Sequence, residues 1–217
     1  MRTYRIYLIR HGIIKSNIDG RYVGVTDEEL CEVGKTHLLK LLENNEYPNV
    51  GKVYSSSLKR CLQTANIIYP QMPVHALDGL KEYNFGEFEN KTISELLHNE
   101  KYINFIENNF KQSNSKEPVI SMYNDDGSEK MESFNYRVYS ALDFIIKDMM
   151  KEKISDAAVI THGGVIMTLL GLCGIPKRKA SDWVTKSGEG YTLVCNASLW
   201  ANTAQVEVFS PVPYKKD

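Results

Sequence analysis

The chain has 217 residues and a formal net charge of −1, and 42% of its residues are hydrophobic against 24% charged. This length suits one domain, or one domain with a substantial insertion, and the near-neutral charge excludes a broad cationic field for nucleic acid or an anionic membrane. No apolar run approaches the roughly 20 residues that cross a bilayer, so a membrane span is excluded as well.

The first predicted element is a buried strand that is followed by an arginine, a histidine and a glycine. Ile6 to Ile9 form an almost unbroken apolar run, as in a strand covered on both faces. Arg10, His11 and Gly12 follow directly. Ligand chemistry gathers beyond the carboxyl ends of strands in open α/β sheets, so this strand end is a candidate site, although an isolated R-H-G also fits an ordinary surface turn.

The start of the chain and its cysteines bear on location. The strand begins almost at once, which leaves no room for a signal peptide. The four cysteines are scattered and form no C-x-x-C pair, so we interpret them as reduced packing residues. A cytoplasmic protein is the expectation.

Helices and strands alternate over residues 17–86. The apolar spacing, the serine caps and the prolines predict their bounds. The predicted elements are a loop over 17–27, a helix over 28–44, a strand over 52–55, a helix capped by Ser55, Ser56 and Ser57 that ends near 69, and a strand over 73–77.

Residues 87–127 interrupt this alternation and are interpreted as an insertion that forms a lid. Thr92 to Glu95 resembles a capping box that opens a short helix, and a second helix is predicted over 102–110. The segment is too rich in aromatic residues such as Tyr102, Phe105 and Phe110 for a disordered linker.

The alternation resumes after the insertion. The predicted elements are a helix over 129–151, a strand over 157–161, a helix over 165–172 and a final strand pair over 191–195 and 205–209, with a hairpin turn near Asn202 and Thr203. Such alternation predicts one α/β domain over 1–217, a three-layer sandwich with a mostly parallel sheet and helices on both faces. The last strand is the one expected to run antiparallel.

A second strand ends like the first, because Thr161 is followed by His162 and two glycines. If the two strands are neighbours, both imidazoles face one pocket. Arg60 lies in the first turn of a predicted helix and belongs to the same edge of the sheet, although a solvated helix arginine is an equal reading. Two arginines and two histidines in an otherwise neutral chain suit a phosphoryl group.

With these residues in place, the sequence resembles the histidine phosphatase superfamily, also called phosphoglycerate-mutase-like. The resemblance covers residues 4 to about 175 in the family's order. It rests on L-I-R-H-G ending at Gly12, Asn17, G-R-Y-V-G from Gly20, V-Y-S-S-S-L-K-R-C-L-Q-T-A from Val53, L-K-E-Y-N-F-G-E-F-E from Leu80, and I-T-H-G-G-V from Ile160.

The resemblance implies a phosphatase that works through a phosphohistidine, with no cofactor and no metal. His11 is then the nucleophile and Glu82 is the general acid and base. Arg10, Arg60 and His162 clamp the transferring oxygens. The further substrate contacts that it implies are Asn17, Arg21, Ser57 and Gly163.

The chain departs from the family pattern at two places. Ile13 and Ile14 stand where the family has an acidic or amide residue and then threonine, which predicts a more apolar rim. The familiar G-E-S is only loosely echoed around Glu129, so Glu129 is not placed among the site residues.

Three functions remain open at this stage. The leading one is hydrolysis of a small organic phosphomonoester, close to the small phosphatases that include α-ribazole-phosphate phosphatases. A primer-dependent phosphoglycerate mutase is the second, and a catalytically silent phosphate-binding protein of the same fold is the third. The aromatic insertion suggests a leaving group larger than glycerate. No nucleic-acid or membrane partner is expected, and a homodimer is left open.

Overall fold

A computed structural model describes residues 2–109 and 122–216 of the chain, without the side chains of residues 108 and 109. The elements, with the short 3₁₀ turns left out, are β1 Thr3–Arg10, α1 Lys15–Ile18, α2 Glu32–Asn44, β2 Asn45–Glu46, β3 Lys52–Ser56, α3 Lys59–Ile68, β4 Val74–Leu77, α4 Ile93–Leu96, α5 Glu100–Asn109, α6 Met131–Glu152, β5 Asp156–Thr161, α7 Gly163–Cys173, β6 Gly174–Ile175, β7 Gly190–Asn196, α8 Ala197–Thr203, β8 Val206–Val212 and β9 Tyr214–Lys215.

The main sheet has seven strands in the order β4-β3-β5-β1-β7-β8-β6. Strands β4, β3, β5 and β1 are mutually parallel, and β5 lies directly beside β1. The register pairs Ile9 with Ile160 and Arg10 with Thr161. The two strands therefore end level with each other, and the next residue of each is a histidine.

Alternation of buried side chains along β1 produces the three layers. Ile6 and Leu8 pack with α6 and α7 on one face, whereas Tyr7 and Ile9 pack with α3 on the other. Successive strand residues point to opposite faces, so an unbroken apolar run is what a doubly covered strand requires. The predicted α/β sandwich with a mostly parallel sheet is confirmed.

The antiparallel strand is not the one that the sequence suggested. The expectation assigned that direction to the last strand, but β7 runs antiparallel to β1, and β8 is antiparallel to β7. The connection between them is also not a hairpin turn. The side chain of Asn196 accepts from the backbone N–H of Leu199 and caps α8, a short helix that joins the strands.

Two predicted helix starts are displaced. The helix expected from residue 28 begins at Glu32, because Leu30 is held in extended conformation by a bridge to Ile14 and donates its N–H to Gln63 Oε1 at 2.7 Å. The predicted serine caps of α3 are also wrong. Its N-cap is Leu58, whose side chain makes no capping hydrogen bond, and the first N–H of the helix, that of Lys59, donates to Asp27 Oδ1 at 2.7 Å.

The described part of residues 87–127 contains α4 and α5 and packs on its own aromatic cluster. The predicted capping box is confirmed, since Thr92 and Glu95 bond reciprocally. Phe88, Leu96 and Tyr102 are buried in that cluster, with Phe105 against them. Phe110 lies outside the described residues. That this segment acts as a lid stays a prediction.

Within residues 2–109 and 122–216, no helix combines the length and the apolar character that crossing a membrane requires.

Candidate active site

The ends of β1 and β5 place two buried imidazoles side by side. The rings of His11 and His162 are 5.1 Å apart between centroids and meet edge to face at 64°. The backbone N–H of His11 also donates to Thr161 O at 2.9 Å, which continues the ladder between the two strands. The two strands are neighbours, as the expectation required, and the two imidazoles lie side by side.

His11 is fixed in one tautomer. Its Nδ1 lies 2.6 Å from the carbonyl oxygen of Gly12 and must donate to it, since a carbonyl only accepts. The proton therefore sits on Nδ1, and Nε2 keeps its lone pair. Burial first, and then the charge of Arg60, lower the pKa of His11 to about 3, so the ring is neutral at ordinary pH.

The turn after His11 is anchored by a threonine of α3. Thr64 Oγ1 accepts from the N–H of Gly12 at 2.9 Å and donates to the carbonyl of Arg60 at 2.6 Å. Its one hydroxyl therefore ties the turn to the helix that carries Arg60. Thr64 lies four residues after Arg60, on the same side of the helix, and this spacing could have identified it from the sequence.

Arg60 is fully buried, and its guanidinium is held in place on three sides. Its Nη1 and Nη2 donate to the carbonyls of Thr26 at 2.7 Å and Gly24 at 2.6 Å, and its Nε donates to His162 Nδ1 at 3.3 Å. The reading of Arg60 as a solvated helix arginine is therefore wrong. Glu89 holds the loop that supplies those carbonyls, because its carboxylate accepts from the backbone N–H groups of residues 24, 25 and 26.

His162 has both ring nitrogens engaged. Because Nδ1 accepts from Arg60, the proton of the neutral ring sits on Nε2, which lies 2.8 Å from Ser56 Oγ and donates to it. Burial, and next the charge of Arg60, hold the pKa of His162 well below its ordinary value. The sequence indicated Ser57 as a substrate contact, whereas the serine that contacts this histidine is Ser56, one residue earlier and buried in β3.

Arg10 lies against the start of α7. Its Nη1 donates to the carbonyl of Thr185 at 2.7 Å, while its buried Nε has no hydrogen-bond partner in the described part of the chain. A Cβ placed on Gly163 would lie 3.5 Å from that Nε, so Gly163 borders the arginine closely. An unsatisfied guanidinium N–H beside a glycine leaves one donor available for a ligand oxygen.

Glu82 reaches the same edge of the sheet from the segment after β4. Its Oε1 accepts from the N–H of Tyr83 and its Oε2 from the N–H of Gly164, both at 2.9 Å. Gly164 must lack a side chain, because a Cβ there would lie 2.4 Å from Glu82 Oε1. Burial raises the pKa of this carboxyl above its ordinary value, against the opposing effect of those two hydrogen bonds and of Arg60 and Arg10.

Three of the predicted substrate contacts point to other partners. Asn17 is exposed, and its Oδ1 accepts from the N–H of Ile14 at 3.3 Å. Arg21 donates to the carbonyl of Asn90 at 2.6 Å and to Glu95, and so binds the loop to the insertion. Ser57 donates to Asp78. The structure thus brings together Arg10, His11, Arg60, Glu82, His162 and Gly163, and engages Asn17, Arg21 and Ser57 elsewhere.

The isoleucines after Gly12 do not form an apolar rim together. Ile14 is fully buried and packs with Leu30 and Leu38 in a small core of its own. The carbonyl of Ile13 accepts from Cys31, and a Cβ on Gly34 would lie 2.0 Å from it. The departure from the family pattern therefore packs this loop against α2, and at Ile14 the expectation of a rim residue is wrong.

An apolar cavity of about 810 Å³ opens beside the segment that carries Glu82. Lys81 and Asn84 border it, and Tyr136 and Phe144 of α6 form its far wall. Tyr123 belongs to the insertion and is half exposed at the same cavity. In the described residues no cluster of three or more histidine, cysteine or acidic side chains is arranged to hold a metal ion.

Comparison with known proteins identifies relatives over most of the chain. The family model described as "Histidine phosphatase superfamily (branch 1)" matches residues 6–203. The adenosylcobalamin/α-ribazole phosphatase of Escherichia coli K12 is 27% identical over 175 residues, which are 79% of this chain and 80% of that protein. Phosphoglycerate mutase-like protein 4 of Arabidopsis thaliana is 29% identical over 93% of this chain and 86% of its own length. The crystal structure of the α-ribazole phosphatase from Shigella flexneri superposes with a TM-score of 0.72 at 22% identity, covering 98% of this chain and 96% of that one.

Proposed function

The chain belongs to the histidine phosphatase superfamily, and from that membership we propose that it hydrolyses small organic phosphomonoesters through a phosphohistidine on His11. One observation carries the proposal. His11 is neutral, its Nδ1 is tied to Gly12, and no hydrogen bond engages Nε2 within the described residues. The charges of Arg60 and Arg10 both act on this ring, and a phosphoryl acceptor needs such cations beside it to hold the transferring oxygens.

In the first step, His11 Nε2 attacks phosphorus and the bond from phosphorus to the ester oxygen breaks. Arg10 and Arg60 clamp the equatorial oxygens, where charge is spread in a loose transition state. His162 joins them when its Nε2–H exchanges Ser56 Oγ for a phosphate oxygen. The protonated carboxyl of Glu82 gives its proton to the leaving alkoxide. The raised pKa of Glu82 favours that protonated form.

In the second step, water attacks the phosphohistidine while the Glu82 carboxylate takes one of its protons. The bond from Nε2 to phosphorus breaks, inorganic phosphate leaves, and both His11 and Glu82 return to their starting states. These side chains supply the charge and the proton transfers of both steps, so we propose that added metal is not required.

Hydrolysis is favoured over mutase chemistry by the residues around Glu82. The segment from Leu80 reads L-K-E-Y-N-F-G and differs from the L-N-E-R-H-Y-G type of run in phosphoglycerate mutases. A relative named as a phosphatase covers most of the chain, whereas the mutase-like relative leaves the second candidate open. A silent phosphate-binding protein is disfavoured because both histidines, both arginines and Glu82 meet at one sheet edge.

The substrate class is proposed to include leaving groups larger than glycerate. Among the insertion aromatics that suggested this, Tyr102 is buried in the aromatic cluster and does not support it, whereas Tyr123 borders the cavity beside Lys81 and Asn84. The cavity beside Lys81 and Asn84 supports it instead, because its walls are mainly apolar and it adjoins the Glu82 segment. A cytoplasmic location and the lack of nucleic-acid or membrane partners stay predictions from the sequence.

We expect turnover of phosphomonoesters in the presence of a chelator, and more of it with bulky or aromatic leaving groups than with 3-phosphoglycerate. The measurement is phosphate release across a substrate panel in EDTA, with and without 2,3-bisphosphoglycerate. Interconversion of phosphoglycerates that depends on the bisphosphate would assign the mutase function instead. Phosphate binding without any turnover would favour the silent protein.

The pH dependence of kcat/KM is expected to follow Glu82 and not His11. The pKa of His11 is about 3, so no activity is gained between pH 5 and pH 8 from its deprotonation. Glu82 must be protonated in the first step, so kcat/KM should fall as the pH rises through its raised pKa. In Glu82→Gln this fall should disappear, and the remaining pH dependence of kcat/KM should come from ionisation of the substrate. An unchanged profile in Glu82→Gln would remove Glu82 from the acid role.

A further inference from the structure

A buried ion pair lies directly behind the segment that carries Glu82. Glu129, which is 6% exposed, accepts from Arg137 of α6 in a bidentate arrangement, from Nε at 2.9 Å and from Nη2 at 2.7 Å. Two parallel hydrogen bonds between a guanidinium and a carboxylate define position as well as charge. Neither side chain has a part in the mechanism above.

The remaining N–H groups of Arg137 all bind backbone carbonyls of that segment. Nη1 donates to Gly79 at 3.1 Å and to Lys81 at 2.7 Å, and Nη2 donates to Glu82 itself at 3.3 Å. A guanidinium has five N–H donors, and these three bonds with the two to Glu129 account for all of them. Arg137 therefore has no donor left for a substrate oxygen.

Glu129 holds the other end of the same segment through its backbone. Its N–H donates to the carbonyl of Asn84 at 2.9 Å, and its carbonyl accepts from the hydroxyl of Tyr83. The pair thus contacts the chain on both sides of Glu82. Within residues 2–109 and 122–216, the carboxyl of Glu82 is itself held by two backbone N–H groups, those of Tyr83 and Gly164. Its position therefore depends on where this segment lies.

We propose that Glu129 and Arg137 are positioning residues for the general acid, an inference that rests on the proposed role of Glu82. They set the place of the Glu82 carboxyl against the leaving oxygen. Both also border the cavity beside Lys81, but Arg137 keeps no N–H free there for a substrate oxygen. A misplacement of about 1 Å can cost about 10²-fold in rate when proton transfer and bond cleavage are concerted.

The dependence of kcat/KM on the leaving group distinguishes a positioning role from a merely structural one. An alkoxide needs the proton of Glu82, whereas 4-nitrophenolate is stable enough to leave with little help. We therefore expect Arg137→Lys to lower kcat/KM for the best alkyl phosphate of the panel by about 10- to 100-fold and for 4-nitrophenyl phosphate by less than about 3-fold. Lysine keeps the charge, but its three donors on one nitrogen cannot replace the planar fork.

The comparison uses kcat/KM, because that quantity stops at formation of the phosphohistidine and excludes its hydrolysis. Arg5→Lys is the matched control, since Arg5 lies at the start of β1 with a half-exposed side chain paired to Asp156, and it should change neither substrate. Glu129→Gln, which keeps the side-chain shape, is the second variant and should show the same dependence on the leaving group if Arg137→Lys does not fold.

Glu82→Gln is the reference for both claims. Suppose that Glu82→Gln loses kcat/KM on the alkyl phosphate alone, but the Arg137 and Glu129 variants lose it equally on both substrates. That result would overturn the positioning role and leave the proposed function intact. Equal losses in Glu82→Gln as well would overturn the acid role of Glu82 and the positioning role with it.

Discussion

Replacing His11 by alanine is expected to lower phosphatase turnover by at least about 10³-fold, because the nucleophile is removed and water alone must then attack the phosphate ester. His11 is chosen over His162 on the hydrogen bonds of the two rings. Both nitrogens of His162 are engaged, by Arg60 and by Ser56, whereas among the residues that the structure describes His11 is engaged through Nδ1 alone. A nitrogen that already donates a proton or accepts one cannot attack phosphorus at the same time.

The measurement is a rapid quench with radiolabelled substrate, followed by a test of the bound label in acid and in base. A phosphohistidine is labile in acid and stable in base, so the wild-type protein should carry label with that signature and His11→Ala should carry none. His75→Ala is the matched control, because His75 is exposed on the edge strand β4. Full turnover in His11→Ala would end the proposed mechanism, and label that survives there but is lost in His162→Ala would move the nucleophile to His162.

The polar ends of the strands were predictable from sequence because their causes are local. An apolar run that ends in Arg10, His11 and Gly12 and another that ends in His162 each signal a strand end at the ligand-binding edge. That the two strand ends lie next to each other could not be derived from these local patterns. It depends on strand order, which is set by the packing of α3, α6 and α7 over the whole sheet.

The serines and Glu129 are harder to place from sequence, because several residues of one type compete for one role. Ser55, Ser56 and Ser57 are equivalent as letters, but the pleat of β3 buries Ser56 against His162 and leaves Ser57 to bond Asp78. Glu129 was left out because its motif is imperfect. Its partner Arg137 is eight residues away on α6, and the carbonyls that they organise lie about 50 residues earlier in the chain.

Arg60 is also hard to distinguish by sequence from a neighbour of the same type. As a sequence feature it is one cation in the first turn of a helix, beside the equally cationic Lys59. The structure separates the two, because Arg60 is fully buried while the side chain of Lys59 is 54% exposed. The difference arises from the carbonyls of Gly24 and Thr26, which the sequence does not place beside the helix and which Glu89 holds there through the loop.

Replacing Arg60 by lysine is therefore expected to lower kcat/KM by about 10²- to 10³-fold, the range found when one preorganised donor to a developing oxyanion is removed. The charge remains, but the fork that spans two carbonyls and His162 is lost. Vanadate, which resembles the transition state, should bind correspondingly more weakly. Arg60→Ala should in addition leave the buried carbonyl of Gly24 without a partner, at about 1–3 kcal/mol in the free energy of unfolding, and the partly buried carbonyl of Thr26 at a smaller cost.

Lys59→Ala is the control for these variants, since it removes a neighbouring cation from the same turn without disturbing the pocket. Vanadate affinity and urea unfolding, measured on all three variants, distinguish the possibilities. If Lys59→Ala lowered kcat/KM as far as Arg60→Lys does, the site would be responding to local charge, and the directed hydrogen bonds assigned to Arg60 would be wrong. A large loss in Arg60→Lys with little change in Lys59→Ala would instead mean that transfer depends on the geometry of the guanidinium, because Arg60→Lys keeps the positive charge and removes the planar fork.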